Sequence, residues 1–173
     1  DVTEGAPFLT YNGSIDINVK ELVAVSDYAG NDDLGFGVWA YEDIIIYAET
    51  AKISGNLSGV YSKNGNIELN GDFIIASARD GVVSANGDID MYGNYQIKAI
   101  EDTGWGIYAG NSVSYYGGSL DVVGCGGIKA EHAVYLDGYS EKLCDFLVLV
   151  NGLKRDLEAQ GYCLTGQEPL KIT

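Results

Sequence analysis

Seven aromatic side chains recur at positions suited to contact with a flat, polar ligand. Trp39, Tyr61 and Tyr108 form one series, Tyr47, Tyr92 and Tyr116 a second, and Trp105 sits in a glycine-rich loop. Such rings offer an apolar face to the C–H side of a sugar and a polar edge to its hydroxyls. Aromatic neighbours on adjacent strands also stabilise a sheet without any ligand, so the series admits both readings. Acids form a second set. Asp27, Asn31, Asp32 and Asp33 with Tyr28 in one loop, and Glu101 and Asp102 beside Trp105 in another, supply the oxygen ligands that calcium prefers. Neither loop has the spacing of an EF-hand or a Gly-Gly-x-Gly-x-Asp repeat, and solvated acidic turns are the plainer reading. Glu68 with Asp88 or Asp90 offers a carboxylate pair of the kind glycoside hydrolysis uses. His132, the sole histidine, has no serine or cysteine partner in a recognisable context, which leaves nucleophilic triad chemistry unsupported. Cys125, Cys144 and Cys163 lack a Cys-x-x-Cys pair and read as buried thiols with at most one disulfide, not as a zinc site.

These residues need a scaffold, and an internal repeat supplies one. Asn64-Gly65-Asn66-Ile67-Glu68-Leu69-Asn70-Gly71 recurs 22 positions later as Asn86-Gly87-Asp88-Ile89-Asp90-Met91-Tyr92-Gly93. Each repeat holds three alternating stretches. The first has Ile15/Ile17, Ile44/Ile46, Ile67/Leu69, Ile89/Met91, Val113/Tyr115 and Val134/Leu136 as inward pairs. The second has Val23/Val25, Ala51/Ile53, Phe73/Ile75, Tyr95/Ile97 and Leu120/Val122, and the third has Val38/Ala40, Val60/Ser62, Val82/Ser84, Ile107/Ala109 and Ile128/Ala130. From third stretch to next first stretch the spacing is nearly constant, which marks a fixed bend. Between second and third it varies, which marks a side where loops bulge.

The pattern predicts an all-β fold: a single-stranded, right-handed parallel β-helix of about five to six coils, three strands per coil. Asn64, Asn86 and Asn111 fall at equivalent bends, where left-handed backbone and an asparagine ladder are expected. In this register Trp39, Tyr61, Val83, Tyr108 and Lys129 point outward in one column, and Tyr47, Asn70, Tyr92 and Tyr116 in another. Glu68 and Asp90 face outward on adjacent coils. Residues 13–137 make the helix, 1–12 an N-terminal cap, and 138–173 a C-terminal cap and tail. Apolar residues at helical spacing after Ser140 predict a capping helix over about 140–160, although the run Phe146 to Val150 also suits a last strand.

The coil pattern at 64–71 and 86–93, with Gly-(Val/Ile)-x-(Ser/Ala) at 81–85 and 127–130, resembles right-handed parallel β-helix proteins of the pectate-lyase-like superfamily. It is especially similar to uncharacterised secreted proteins of gut bacteria that are assigned to carbohydrate binding. That resemblance implies an extracellular protein handling polysaccharide. The catalytic sets of those enzymes do not follow: no Asn-x-Asp, Gly-His-Gly and Arg-x-Lys set is present, and Arg79 beside Asp80 reads as a turn pair.

Composition narrows the classes further. With 10 Lys plus Arg against 25 Asp plus Glu, the formal charge of the 173-residue chain is −15. Such a surface repels phosphate backbones unless a cation bridges them, and the basic residues form no sequence cluster, so nucleic acid is not the expected partner. No apolar run is long enough to insert in a bilayer. Abundant Gly, Asn, Asp, Ser and Tyr suit a secreted or cell-surface module. The expectation is a non-catalytic glycan-binding or adhesion module, with a polysaccharide lyase or glycoside hydrolase as the alternative and a structural spacer as a further one.

Overall fold

A computed structural model describes residues 6–28, 35–101, 103–137, 147–158, 161–165 and 170–172. The chain enters through β1 (Phe8–Thr10) and then alternates long and short strands: β2 (Ile15–Val25), β3 (Phe36–Ala40), β4 (Ile44–Gly55), β5 (Ser58–Ser62), β6 (Ile67–Ser77), β7 (Asp80–Ser84), β8 (Ile89–Ala99) and β9 (Trp105–Ala109). β10 (Ser112–Ala130) runs through a whole coil, and β11 (Ala133–Asp137), β12 (Leu147–Glu158), β13 (Gly161–Thr165) and β14 (Leu170–Ile172) follow. The strand order β1-β3-β5-β7-β9-β10-β8-β6-β4-β2 places each strand on its counterpart from the preceding coil. All pairings are parallel, giving a β-solenoid of about five turns. Each long strand carries two of the alternating stretches and each short strand the third, so three faces enclose the core.

The expected files form. Ile44, Ile67, Ile89 and Val113 occupy successive coils in direct register, all with no exposed surface. Val38, Val60, Val82, Ile107 and Ile128 do the same on the third face. One file differs. In the first coil Leu22 and Ala24 pair with Ala51 and Ile53 and point inward, while Val23 is 59% exposed. The cause is the bend between first and second stretches, which holds an odd step from Ile17 to Leu22 but an even one from Leu69 to Phe73. Glu49 is the extra residue of the second coil, because Ala48 pairs with Gly71 and Thr50 with Asp72. A one-residue change at the bend reverses which side chains face the core.

At the tight bend between third and first stretches, side chains link neighbouring coils. Asp43, Asn66 and Asp88 accept the backbone N–H of Asn66, Asp88 and Ser112 at 2.7, 2.9 and 2.9 Å. This ladder lies at 43/66/88, not at the expected 64/86/111. Asn86 does donate to Asn64 Oδ1 at 3.2 Å, but Asn111 turns to Asp88 Oδ1 at 2.6 Å. None of the described non-glycine residues has positive φ, so these asparagines are not left-handed. The positive φ falls instead on stacked Gly71 and Gly93, at the bend that needs it. Buried Ser62 and Ser84 complete the corner. Ser84 Oγ donates to the Gly65 carbonyl of the preceding coil at 2.8 Å and accepts Gly87 N–H at 2.9 Å.

The predicted helix over 140–160 is corrected for its described part. Leu147–Glu158 is strand β12, with Val148 on Leu120, Val150 on Val122 and Leu157 on Ile128. The open edge of β10 presents unpaired N–H and C=O groups, and a segment opening Leu147-Val148-Leu149-Val150 satisfies them by adding a strand. The expected strand at Phe146 to Val150 is therefore the reading that holds from Leu147 onward; residues 138–146 lie outside the described residues. At the other end, β1 covers the edge of β3 as one further third-face strand.

Candidate functional site

The third face places outward residues of successive coils in register, and the column continues past the strand ends. Leu9, Trp39, Tyr61, Val83, Tyr108 and Lys129 form one column. Two residues further along the same side, Tyr11, Tyr41 and Lys63 form a second; Tyr41 N–H bonds the Thr10 carbonyl and Lys63 N–H the Ala40 carbonyl. Trp39 is only 4% exposed. It is stacked parallel to Tyr61 with ring centres 6.5 Å apart, and Tyr11 tilts against it at 5.2 Å. Phe36 closes on Tyr61 at 5.0 Å, and Leu57 completes a small outer core. Over this base lies a pocket of about 390 Å³ lined by Tyr11, Phe36, Trp39, Tyr41, Tyr61, Lys63 and Arg79.

The two cations of this pocket are held from different sides. Lys63 Nζ stands 5.4 Å above the Tyr41 ring. Arg79 donates through Nε to Asp80 Oδ2 at 2.9 Å, and the other oxygen of Asp80 accepts Trp105 N–H at 2.9 Å. Asp80 thus orients the guanidinium by one edge, and its terminal Nη groups have no partner among the described residues.

The column does not continue as one aromatic stripe. Val83 is nearly buried and divides the pocket from Trp105 and Tyr108. There Lys129 Nζ stands 5.9 Å over Trp105 and 5.7 Å over Tyr108, and it pairs with Glu131 at 3.2 Å. Tyr108 donates to Glu131 Oε1 at 3.2 Å; burial and Glu131 raise its phenol above the ordinary value. This second group is engaged with its own neighbours.

The first face carries the other series. Tyr47, Asn70, Tyr92 and Tyr116 lie in register, and Tyr92 stacks on Tyr116 at 5.2 Å. Beside them runs Ile45, Glu68, Asp90 and Ser114. Tyr47 donates to Glu68, a bond that raises its phenol above the ordinary value. Partial burial holds the Asp90 carboxyl above the usual range; Ser114 opposes the shift by hydrogen bonding, and Asp88 and Glu68 add to it by charge. Tyr92 is raised chiefly by burial.

Further hollows lie along the rod, three of them lined by described residues. Each combines acids with a base: Glu21 and Asp72 with Lys52, Asp27 with Lys98, and Glu49 with Lys20. Of the acidic loops, residues 29–34 and 102 lie outside the described residues, and among the described ones no group of three or more His, Cys, Asp or Glu is placed to hold a metal. His132 sits in the exposed turn before β11, and Cys125 is buried; Cys144 lies outside the described residues.

No protein-family model matches the chain, and comparison with curated proteins and with solved structures finds no match. The site must therefore be read from its own geometry. The sequence reading placed Trp39 and Tyr61 together but missed Tyr11, Tyr41 and Lys63. The signal was present: outward alternation from Leu9, Trp39 and Tyr61 reaches 11, 41 and 63 at the next step. Arg79, singled out only as a turn residue, joins the site because its turn stacks on that of the preceding coil, where its N–H bonds the Asn56 carbonyl.

Proposed function

We propose that this chain is a non-catalytic glycan-binding module of a secreted or cell-surface protein, and that the third-face pocket is its principal contact. The carrying observation is the convergence of Tyr11, Tyr41 and Tyr61 on one concavity of about 390 Å³. Exposed Tyr11 and Tyr41 offer ring faces and hydroxyl edges, while buried Trp39 braces them from below. A sugar ring lays its C–H side on such faces and gains apolar burial without losing hydroxyl partners. The Tyr47, Tyr92 and Tyr116 column gives an extended second contact for a long chain, with Glu68 and Asp90 accepting from sugar hydroxyls. The coil pattern's resemblance to pectate-lyase-like proteins favours the same substrate class, though shared architecture transfers no activity.

Affinity electrophoresis in gels containing neutral and acidic polysaccharides tests this reading. Retardation by at least one polymer is expected, with Tyr41→Ala plus Tyr61→Ala weakening it by about tenfold or more. Trp39→Ala is the poorer probe, since removing a buried ring also unsettles the fold. Migration unaffected by every polymer would sink the proposal.

Glycoside hydrolysis is the second reading, and one observation favours it. Asp90 holds its proton more tightly than usual directly beside Glu68 on the adjacent strand, the division of roles an acid and a carboxylate partner require. Release of reducing ends that is abolished by Asp90→Asn would establish it.

A further inference from the structure

The charge lining the third-face pocket is opposite to that of the molecule. Acids outnumber bases 25 to 10 along the chain, and three further hollows among the described residues each include at least one carboxylate. Among the described residues, the charged side chains lining the third-face pocket are Lys63 and Arg79, with no acid. Lys63 follows the end of β5, whereas Arg79 immediately precedes β7, whose first residue, Asp80, pairs with Ser58 at the start of β5. The cations therefore approach the aromatic floor from opposite ends of the face.

Their presentation also differs from that of a surface ion pair. The Asp80 bond occupies Arg79 Nε and fixes the guanidinium plane, which leaves the terminal N–H groups to meet a forked acceptor. Asp80 itself is tied to Trp105 N–H, so its charge is shared between two donors. The Lys63 ammonium rests over Tyr41, an arrangement that leaves its outward N–H groups for an anion.

We propose that this pocket selects an anionic sugar, one bearing a carboxylate or a sulfate ester, with Arg79 and Lys63 pairing its charged groups while Tyr41 and Tyr61 carry the ring. This rests on the glycan-binding reading and names its ligand class. Selectivity follows from the same pair: a neutral sugar entering the pocket leaves two cations without the partner they are set to meet, whereas the negative field elsewhere discourages anionic polymers from binding at other faces.

The test is affinity electrophoresis and titration of the whole chain, at a fixed ionic strength of about 0.15 M, against three polymers of similar length: a neutral galactan, a polyuronate and a sulfated galactan. At least one acidic polymer is expected to bind about tenfold or more tightly than the neutral one. Lys63→Gln and Arg79→Gln are each expected to weaken that binding by about tenfold, and Arg79→Lys by less. Thermal melts of the variants check that the coils remain folded. Preference for polyuronate alone or sulfated galactan alone identifies the anion and supports the proposal. Equal binding of neutral and acidic polymers, or acidic binding that survives Lys63→Gln plus Arg79→Gln yet is lost in Tyr41→Ala plus Tyr61→Ala, overturns the anionic selectivity and leaves glycan binding standing. Binding of none of the three overturns both.

Discussion

Asp90 shows how a single side chain on a regular face acquires an individual character. Its neighbours in register are Glu68 on one side and Ser114 on the other, and partial burial outweighs the help Ser114 gives to the charged form. A carboxyl raised in the folded state binds its proton more tightly there than in the unfolded chain. Stability therefore falls as pH rises from the ordinary aspartate value through the raised one, and Asp90 opposes folding at neutral pH. Asp90→Asn keeps an acceptor for Ser114 and removes the charge. It is expected to raise the neutral-pH melting temperature, a gain below about 1 kcal/mol because solvent still screens the half-buried group. The gain should vanish when melts are repeated below the ordinary aspartate range. A loss of stability at neutral pH would mean that the charge is used, not merely tolerated.

At the scale of the element, the short third-face strands explain the recurrent Gly-(Val/Ile)-x-(Ser/Ala) pattern. A Cβ on Gly59 would lie 2.3 Å from Ile75 Cγ2, on Gly81 2.3 Å from Ile97 Cγ2, and on Gly106 2.2 Å from Val122 Cγ1. These glycines make room for the β-branched second-stretch residue of the long strand that follows, one coil on. Gly59→Ala is expected to cost about 1–3 kcal/mol by overpacking. Combining it with Ile75→Ala, in a double-mutant cycle followed by denaturant unfolding, should show a coupling of about 1 kcal/mol or more, with the pair less damaging than the sum. Strict additivity would contradict the contact. The serine ending the same pattern has its own task, since Ser62 and Ser84 bond the turn glycines that follow them and lock third face to first.

Across the whole molecule, stacking identical coils brings like residues into contact. That favours apolar files and aromatic pairs but places acid beside acid, as at Glu68 and Asp90. A net charge of −15 spread along a rod opposes the compact state by self-repulsion. Raising sodium chloride from about 0.01 M to about 0.15 M shortens the screening length from about 30 Å to about 8 Å. The melting temperature is expected to rise over that range and level off beyond it. A melting temperature indifferent to salt would show that the acidic columns are already compensated within the fold.

The amino-acid sequence by itself determined the period and the core files, because alternation within a strand is local and each coil repeats it. Ile67 and Ile89 declare their register through Asn-Gly turns that match residue for residue. The parity of each bend was not legible from that pattern: Val23 and Leu22 are both apolar, and only parallel pairing with Ala51 decides which turns inward. The tail was equally ambiguous, since Leu and Val spaced for a helix also suit a strand, and the exposed edge of β10 decided between them. The third-face pocket lies between these cases. Tyr41 and Lys63 could be reached by counting, whereas Arg79 joined them only through the stacking of one turn upon another. Local periodicity fixes what a strand can bury; contacts between residues distant in the chain fix which side it buries and what meets on the side left open.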